Sequence, residues 1–113
     1  MQAAQPGLWL RLYVRESLRS GPHALYEALV MLARREGLAG ATAFRAMEGF
    51  GAHHHLHTTR LVDVSDDLPM IVEFVDSEAA IRRFLGLLDA LIPHGTAVVS
   101  PVEIVLDRPE RPA

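Results

Sequence analysis

No cysteine occurs anywhere in the 113 residues. Disulfides, thiolate nucleophiles and sulfur-ligated zinc are therefore excluded. Lysine is missing too: all 11 residues of the Lys/Arg class are arginine. That removes a Schiff-base lysine and a phosphate-cradling P-loop, whose GxxxxGK[ST] pattern is not present. The chain also lacks an apolar run of membrane-spanning length. GLWL, Gly7–Leu10, is interrupted by Arg11, and no basic region precedes it. Neither a signal peptide nor a membrane span is expected, and the chain reads as a soluble cytoplasmic protein. Charge of neither sign is in large excess: 14 acidic residues against 11 arginines give −3. That balance lacks the basic footprint of a nucleic-acid binder.

What is present is apolar and periodic. Half of the residues are hydrophobic, which is incompatible with a disordered chain. One domain is the simplest organisation, burying roughly two-thirds of its unfolded surface around a single core. In LWLRLYV, Leu8, Leu10, Leu12 and Val14 face one way and Trp9, Arg11 and Tyr13 the other. That alternation predicts a strand. SLRSG then reads as a loop. Pro22 suits a first helical residue, with Leu25, Ala28, Leu29, Leu32 and Ala33 at helical spacing and Gly37 as the C-terminal cap. ATAFRAM, Ala41–Met47, predicts a second strand. After a loop, TTRLVDV is a short strand or the arm of an extended loop. MIVEFV, Met70–Val75, predicts a strand, and Ser77 caps a helix carrying Ile81, Phe84, Leu85, Leu88, Leu91 and Ile92. TAVVSPVEIVL is the last strand, and its internal Pro101 argues for an edge position or a bulge.

Each helix has one apolar stripe, so both must cover a sheet face. The expected architecture is α+β: a ferredoxin-like βαββαβ sandwich, a four-stranded antiparallel sheet with two helices on one face. The other face, with Trp9, Arg11 and Tyr13, is half apolar and suits a partner subunit better than water. An oligomer is expected. The boundaries are a disordered N-terminus over 1–7, one domain over 8–106 and a flexible tail over 107–113.

Two blocks narrow the reading. REGLAGATAFRAMEGFGA, Arg35–Ala52, followed by HTTRLVDVSDDLPMIVEFVD, His57–Asp76, resembles the bacterial family known as domain of unknown function 190, one of the PII-like signalling proteins. The resemblance spans about Leu8 to Leu106. It implies a homotrimer that binds a small ligand, often an adenine nucleotide, in clefts between subunits. It also implies a segment corresponding to the superfamily's T-loop, here Ala52–Leu68, that changes shape on binding and presents itself to a protein partner. Gly49-Phe50-Gly51 matches the start of that loop. The ligand-binding residues so implied are Arg45, Glu48, Gly49, Phe50, Gly51 and His57. Members are often encoded beside fluoride-exporting channels, which makes a membrane channel or transporter one candidate partner. The chain departs from the pattern in two places. Nucleotide-binding relatives hold phosphate with a glycine-lysine loop before the last strand, whereas Pro93-His94-Gly95-Thr96 carries no lysine or arginine. No tyrosine lies between Gly51 and Pro69, so nucleotidylation of a loop tyrosine is not available.

Four of the six histidines lie between His53 and His57. In an extended segment His53, His55 and His57 share one side, roughly 6.5–7 Å apart, and His54 takes the other. Three imidazoles could bind a divalent metal with a further ligand from Glu48, Asp63, Asp66, Asp67 or a neighbouring subunit. The alternative function is thus a metal-binding trimer resembling the copper-tolerance proteins. Solvated loop histidines and a pH-responsive cluster are the other readings. His57 stands apart because it belongs to the HT pair of the family-like block. Arg45 could reach an anion or pair with Glu73, and Arg11 reads as a sheet-face ion pair. Asp66-Asp67 reads as a turn cap. No nucleophile motif or dyad spacing is present, so an enzyme is not expected.

Overall fold

The computed structural model describes residues 4–49, 57–58 and 67–108. Strand β1 (Gln5–Arg15) leads through a small hairpin, β2 (Arg19–Ser20) and β3 (His23–Ala24), into helix α1 (Leu25–Arg35). Strand β4 (Ala41–Arg45) follows, then the short pair β5 (Glu48–Gly49) and β6 (His57–Thr58). Strand β7 (Pro69–Asp76), helix α2 (Glu78–Leu88) and strand β8 (Thr96–Ile104) complete the chain order. The four long strands form one antiparallel sheet in the order β4-β7-β1-β8. This is the expected ferredoxin-like arrangement. Among the described residues no helix is long and apolar enough to cross a membrane.

The alternation in β1 works as expected. Leu8, Leu10, Leu12 and Val14 are buried, as are Met70, Val72 and Phe74 on β7, where Leu10 faces Phe74 and Leu12 faces Val72. Residues directly opposite on paired strands share a face. Leu25, Leu29, Leu32 and Ala33 of α1 and Ile81, Phe84 and Leu88 of α2 close this face, so one core lies between the sheet and both helices. Helix α1 lies over β4 and β7, and α2 over β1 and β7. Edge strand β8 is left largely exposed, as Pro101 had suggested.

Several boundaries differ from the sequence reading: β4 ends at Arg45 rather than Met47, β7 runs one residue further at each end, and β8 ends at Ile104 rather than Leu106. Strand β1 begins at Gln5 rather than Leu8, because Gln5, Pro6 and Gly7 pair with Ile104, Glu103 and Val102. Pro22 does not open α1. It lies in the turn joining β2 and β3, and the helix starts at Leu25, whose N–H donates to the Leu18 carbonyl (2.7 Å). Helix α2 ends at Leu88, and Leu91 and Ile92 pack on the core from the following turn, their N–H groups bonded to the Leu88 carbonyl at 2.9 and 3.1 Å.

The caps behave as read. Ser77 Oγ accepts from the Ala80 N–H (3.2 Å). Gly37, at φ 78°, follows α1. Its N–H reaches the Arg34 carbonyl, and the Leu38 N–H reaches the Ala33 carbonyl, which is the two-bond glycine cap. Gly95, at φ 149°, is required for a second reason: a Cβ there would lie 2.6 Å from the Tyr13 carbonyl oxygen. Gly95→Ala should therefore cost roughly 1–3 kcal/mol. Urea midpoints would measure it, and an unchanged midpoint would refute this account of the β1–β8 approach.

Candidate functional site

The register gathers one end of the sheet into a single neighbourhood. Arg45 stands opposite Met70, Arg15 opposite Pro69, and Tyr13 opposite both Ile71 and Thr96. The exit of β4, the start of β7, the end of β1 and the turn before β8 therefore lie along that end, with β4 and β8 at its opposite edges. The Ala46 N–H donates to the Pro69 carbonyl and the Glu16 N–H to the Leu68 carbonyl, each at 2.9 Å. Beyond them β5 and β6 pair as Glu48 with Thr58 and Gly49 with His57. This short ladder is the root of the segment matched to the T-loop.

Charged side chains tie the root together. Arg45 engages Glu16 through two contacts, Nε to Oε2 at 2.8 Å and Nη2 to Oε1 at 2.9 Å. Asp67 accepts the Ser17 N–H at 2.7 Å and the Ser17 hydroxyl, with Arg15 Nε at 3.4 Å. Three successive residues at the end of β1 thus hold both arms, β4 through Glu16 and the 67–68 arm through all three. Sequence reasoning missed this clasp. Its partners are 29 residues apart for Arg45–Glu16 and 50 for Ser17–Asp67, and no periodicity links them.

Two expectations are corrected. Arg45 does not pair with Glu73. It lies opposite buried Met70 on the helix-covered face, whereas Glu73 lies on the other face, opposite Arg11. Asp67 is not simply a turn cap, since its carboxylate is taken by Ser17 and Arg15.

Of the residues singled out from sequence, the structure brings together Arg45 and, through their backbones, Glu48, Gly49 and His57. Phe50, Gly51, His53 and His55 lie outside the described residues, as do Asp63 and Asp66 and most of Ala52–Leu68. Among the described residues no group of three or more His, Asp or Glu side chains is placed to hold a metal ion.

Arg45 is exposed at this root, and a guanidinium can hold a carboxylate or a phosphate by a two-point contact. Thr96 lies at the opposite edge of the sheet and, across from Tyr13, on its open face. Arg15, Glu16, Arg45 and Asp67 sum to zero charge, so the root carries no surplus of positive charge.

The open sheet face has a different character. Arg11 Nε donates to Glu73 at 2.7 Å, Arg11 Nη1 lies 3.4 Å from the Tyr13 hydroxyl, and the guanidinium sits 4.7 Å from the Trp9 ring centre. Hydrogen bonds to Tyr13 and then Glu73 hold the Arg11 pKa above its ordinary value, so it stays charged. Around this polar centre Trp9, Phe44, Val75 and Val98 are exposed. A groove of about 330 Å³ lies at the end of the sheet away from Arg45, lined by Trp9, Thr42, Asp76, Ile104 and Leu106 among others. A second, of about 210 Å³, separates α2 from β8 between Leu85, Leu88, Ile92 and Ala97.

Comparison with known proteins agrees with the fold. A PII-like protein from Thiomonas intermedia K12, solved with ADP, AMP and bicarbonate, covers 92% of this chain and 92% of its own, at TM-score 0.65 and 18% identity. A candidate PII-like signalling protein from Thermus thermophilus covers 92% of this chain and 94% of its own, at TM-score 0.65 and 27% identity. The UPF0166 protein of Aquifex aeolicus is 36% identical over 96 residues, 85% of this chain and 90% of that one. The chain has the PII-like fold, and residues 7–104 match DUF190, described as "Uncharacterized ACR". With that match and the Aquifex relative, the chain is a member of the DUF190 family.

Proposed function

We propose that this chain is a non-enzymatic, cytoplasmic PII-like regulator. It assembles as a homotrimer and binds an adenine nucleotide in the clefts between subunits. It signals through residues 52–68 to a protein partner, for which a membrane channel or transporter is the candidate class. The observation that carries the reading is the fold match over 92% of both chains to a protein that holds ADP and AMP. The placement of Arg45, Gly49 and His57 together at the root of the segment matched to the T-loop supports it. Nucleotide binding would favour one arrangement of the loop, and the free-energy difference between arrangements would be the signal.

The test is thermal unfolding of the metal-stripped protein with ADP or AMP in the presence of a chelator. A ligand at 100 times its Kd stabilises the folded state by about 2.7 kcal/mol, a shift of several degrees. Flat melting curves with both nucleotides at millimolar concentration would remove the nucleotide reading. A shift with divalent metal alone, lost when His53, His55 and His57 are all replaced by alanine, would replace it with the metal-binding one.

A further inference from the structure

We propose that Glu16 is an internal occupant of the anion site at the loop root, a carboxylate that a phosphate-bearing ligand must displace from Arg45. The inference rests on the reading of Arg45 as a ligand-binding residue. Arg45 Nη2 donates to Glu16 Oε1 at 2.9 Å, and Arg45 Nε lies 2.8 Å from Oε2, a buried oxygen held by this ion-pair approach without a hydrogen bond. A phosphate oxygen pair uses a guanidinium in the same two-point way. Glu16 and a ligand therefore compete for one geometry.

The pair is built to exchange. Arg45 is 56% exposed, and Glu16 Oε2, though buried, has no hydrogen bond to hold it there, so a pair open to water on the arginine side holds weakly. Glu16 nevertheless has the advantage of being tethered, which raises its effective concentration at Arg45. A monoanion such as a carboxylate brings no more charge than Glu16 and loses that contest. A phosphoryl or pyrophosphoryl group, with more than one negative charge, can win it. Glu16 thus selects for phosphate-bearing ligands over monoanions, even though the root lacks lysine.

The exchange also has a route to the loop. The Glu16 N–H holds the Leu68 carbonyl, and its neighbours Arg15 and Ser17 both hold Asp67. A carboxylate driven off Arg45 pulls on the backbone that fastens the 67–68 arm. Glu16, which detects the anion, and its two neighbours, which hold Asp67, together anchor the 67–68 arm.

Calorimetric titration with ADP and with pyrophosphate, in metal-free buffer, tests this on four proteins: wild type, Glu16→Gln, Arg45→Gln and the double variant. Glu16→Asp, which keeps the charge, serves as the folding control. Glu16→Gln is expected to bind both probes roughly three- to tenfold more tightly, and Arg45→Gln roughly tenfold more weakly. In the Arg45→Gln background the Glu16 change should add nothing, because a real competition vanishes with its target. Equal ADP affinity for wild type and Glu16→Gln would overturn the exchange and leave the nucleotide reading intact. Tightening that persists without Arg45 would also overturn it, since only net charge would then be at work. Pyrophosphate tightened by Glu16→Gln with no ADP binding would sustain the exchange and remove the adenine reading. Binding of neither probe by any of the proteins would end both.

Discussion

Phe74→Ala should lower the unfolding free energy by about 3–5 kcal/mol. Phe74 is fully buried in the middle of β7, directly opposite Leu10, and its ring lies 4.9 Å from that of Phe84 on α2 with a 58° tilt. Truncation removes the transfer energy of a benzyl group, the tilted aromatic contact and the filling of the space between sheet and helices. A domain of this size is stable by only about 5–15 kcal/mol, so the loss is a large share of the total. Val75→Ala provides the internal control. Val75 is the next residue on the same strand but faces the open side and is exposed in the single subunit, so truncation there leaves no cavity in the core and costs at most part of the contact between subunits. In unfolding by urea at one fixed protein concentration, the two losses should differ several-fold. Equal losses would mean that the alternation on β7 does not decide which side chains carry the core.

The core was legible because its signals are local. Period two in Leu8–Val14 and the helical spacing of Ile81, Phe84 and Leu88 each announce which face is buried, and burial follows them. Strand β4 shows where that logic stops. In Ala41–Arg45 both faces carry apolar residues, so the sequence does not say which way Arg45 points, and of its two readings the pairing with Glu73 failed. Only the pairing of β4 with β7 decides the matter, by setting Arg45 against Met70 and Thr42 against Glu73. Pro22 illustrates a related ambiguity, because its fixed φ suits a helix start and a hairpin turn alike. The site was less legible than the fold for a physical reason. Its contacts join residues 29 and 50 positions apart through side chains at strand ends, where no repeating pattern survives. The glycines Gly49 and Gly51 and the histidine cluster were visible as unusual composition, which marks a segment without fixing its geometry.

The proposed trimer has a surface to use on the face that the core leaves bare. Trp9, Phe44, Val75 and Val98 present apolar surface on the side of the sheet opposite the helices, and β8 also exposes Val99 on the other side. A single subunit gains nothing from that surface, whereas a second copy laid on it removes it from water. Val98→Lys is therefore expected to abolish the proposed trimer while leaving the subunit folded. Val98 is 47% exposed in the single chain, so a charged side chain there costs the subunit within about 1 kcal/mol. Its direct neighbour across the strand is Arg11, already engaged by Glu73, so the new ammonium meets a like charge and no available carboxylate opposite. Once buried between subunits, that ammonium would cost several kcal/mol, enough to shift association by orders of magnitude. Light scattering at micromolar concentration should report three times the chain mass for the wild type and the chain mass for the variant, with circular dichroism unchanged. Nucleotide binding should vanish with the trimer, since a cleft between subunits needs both of its walls. A variant that stays trimeric would move the interface to another face, and a variant that binds ADP as a monomer would place the nucleotide within one subunit.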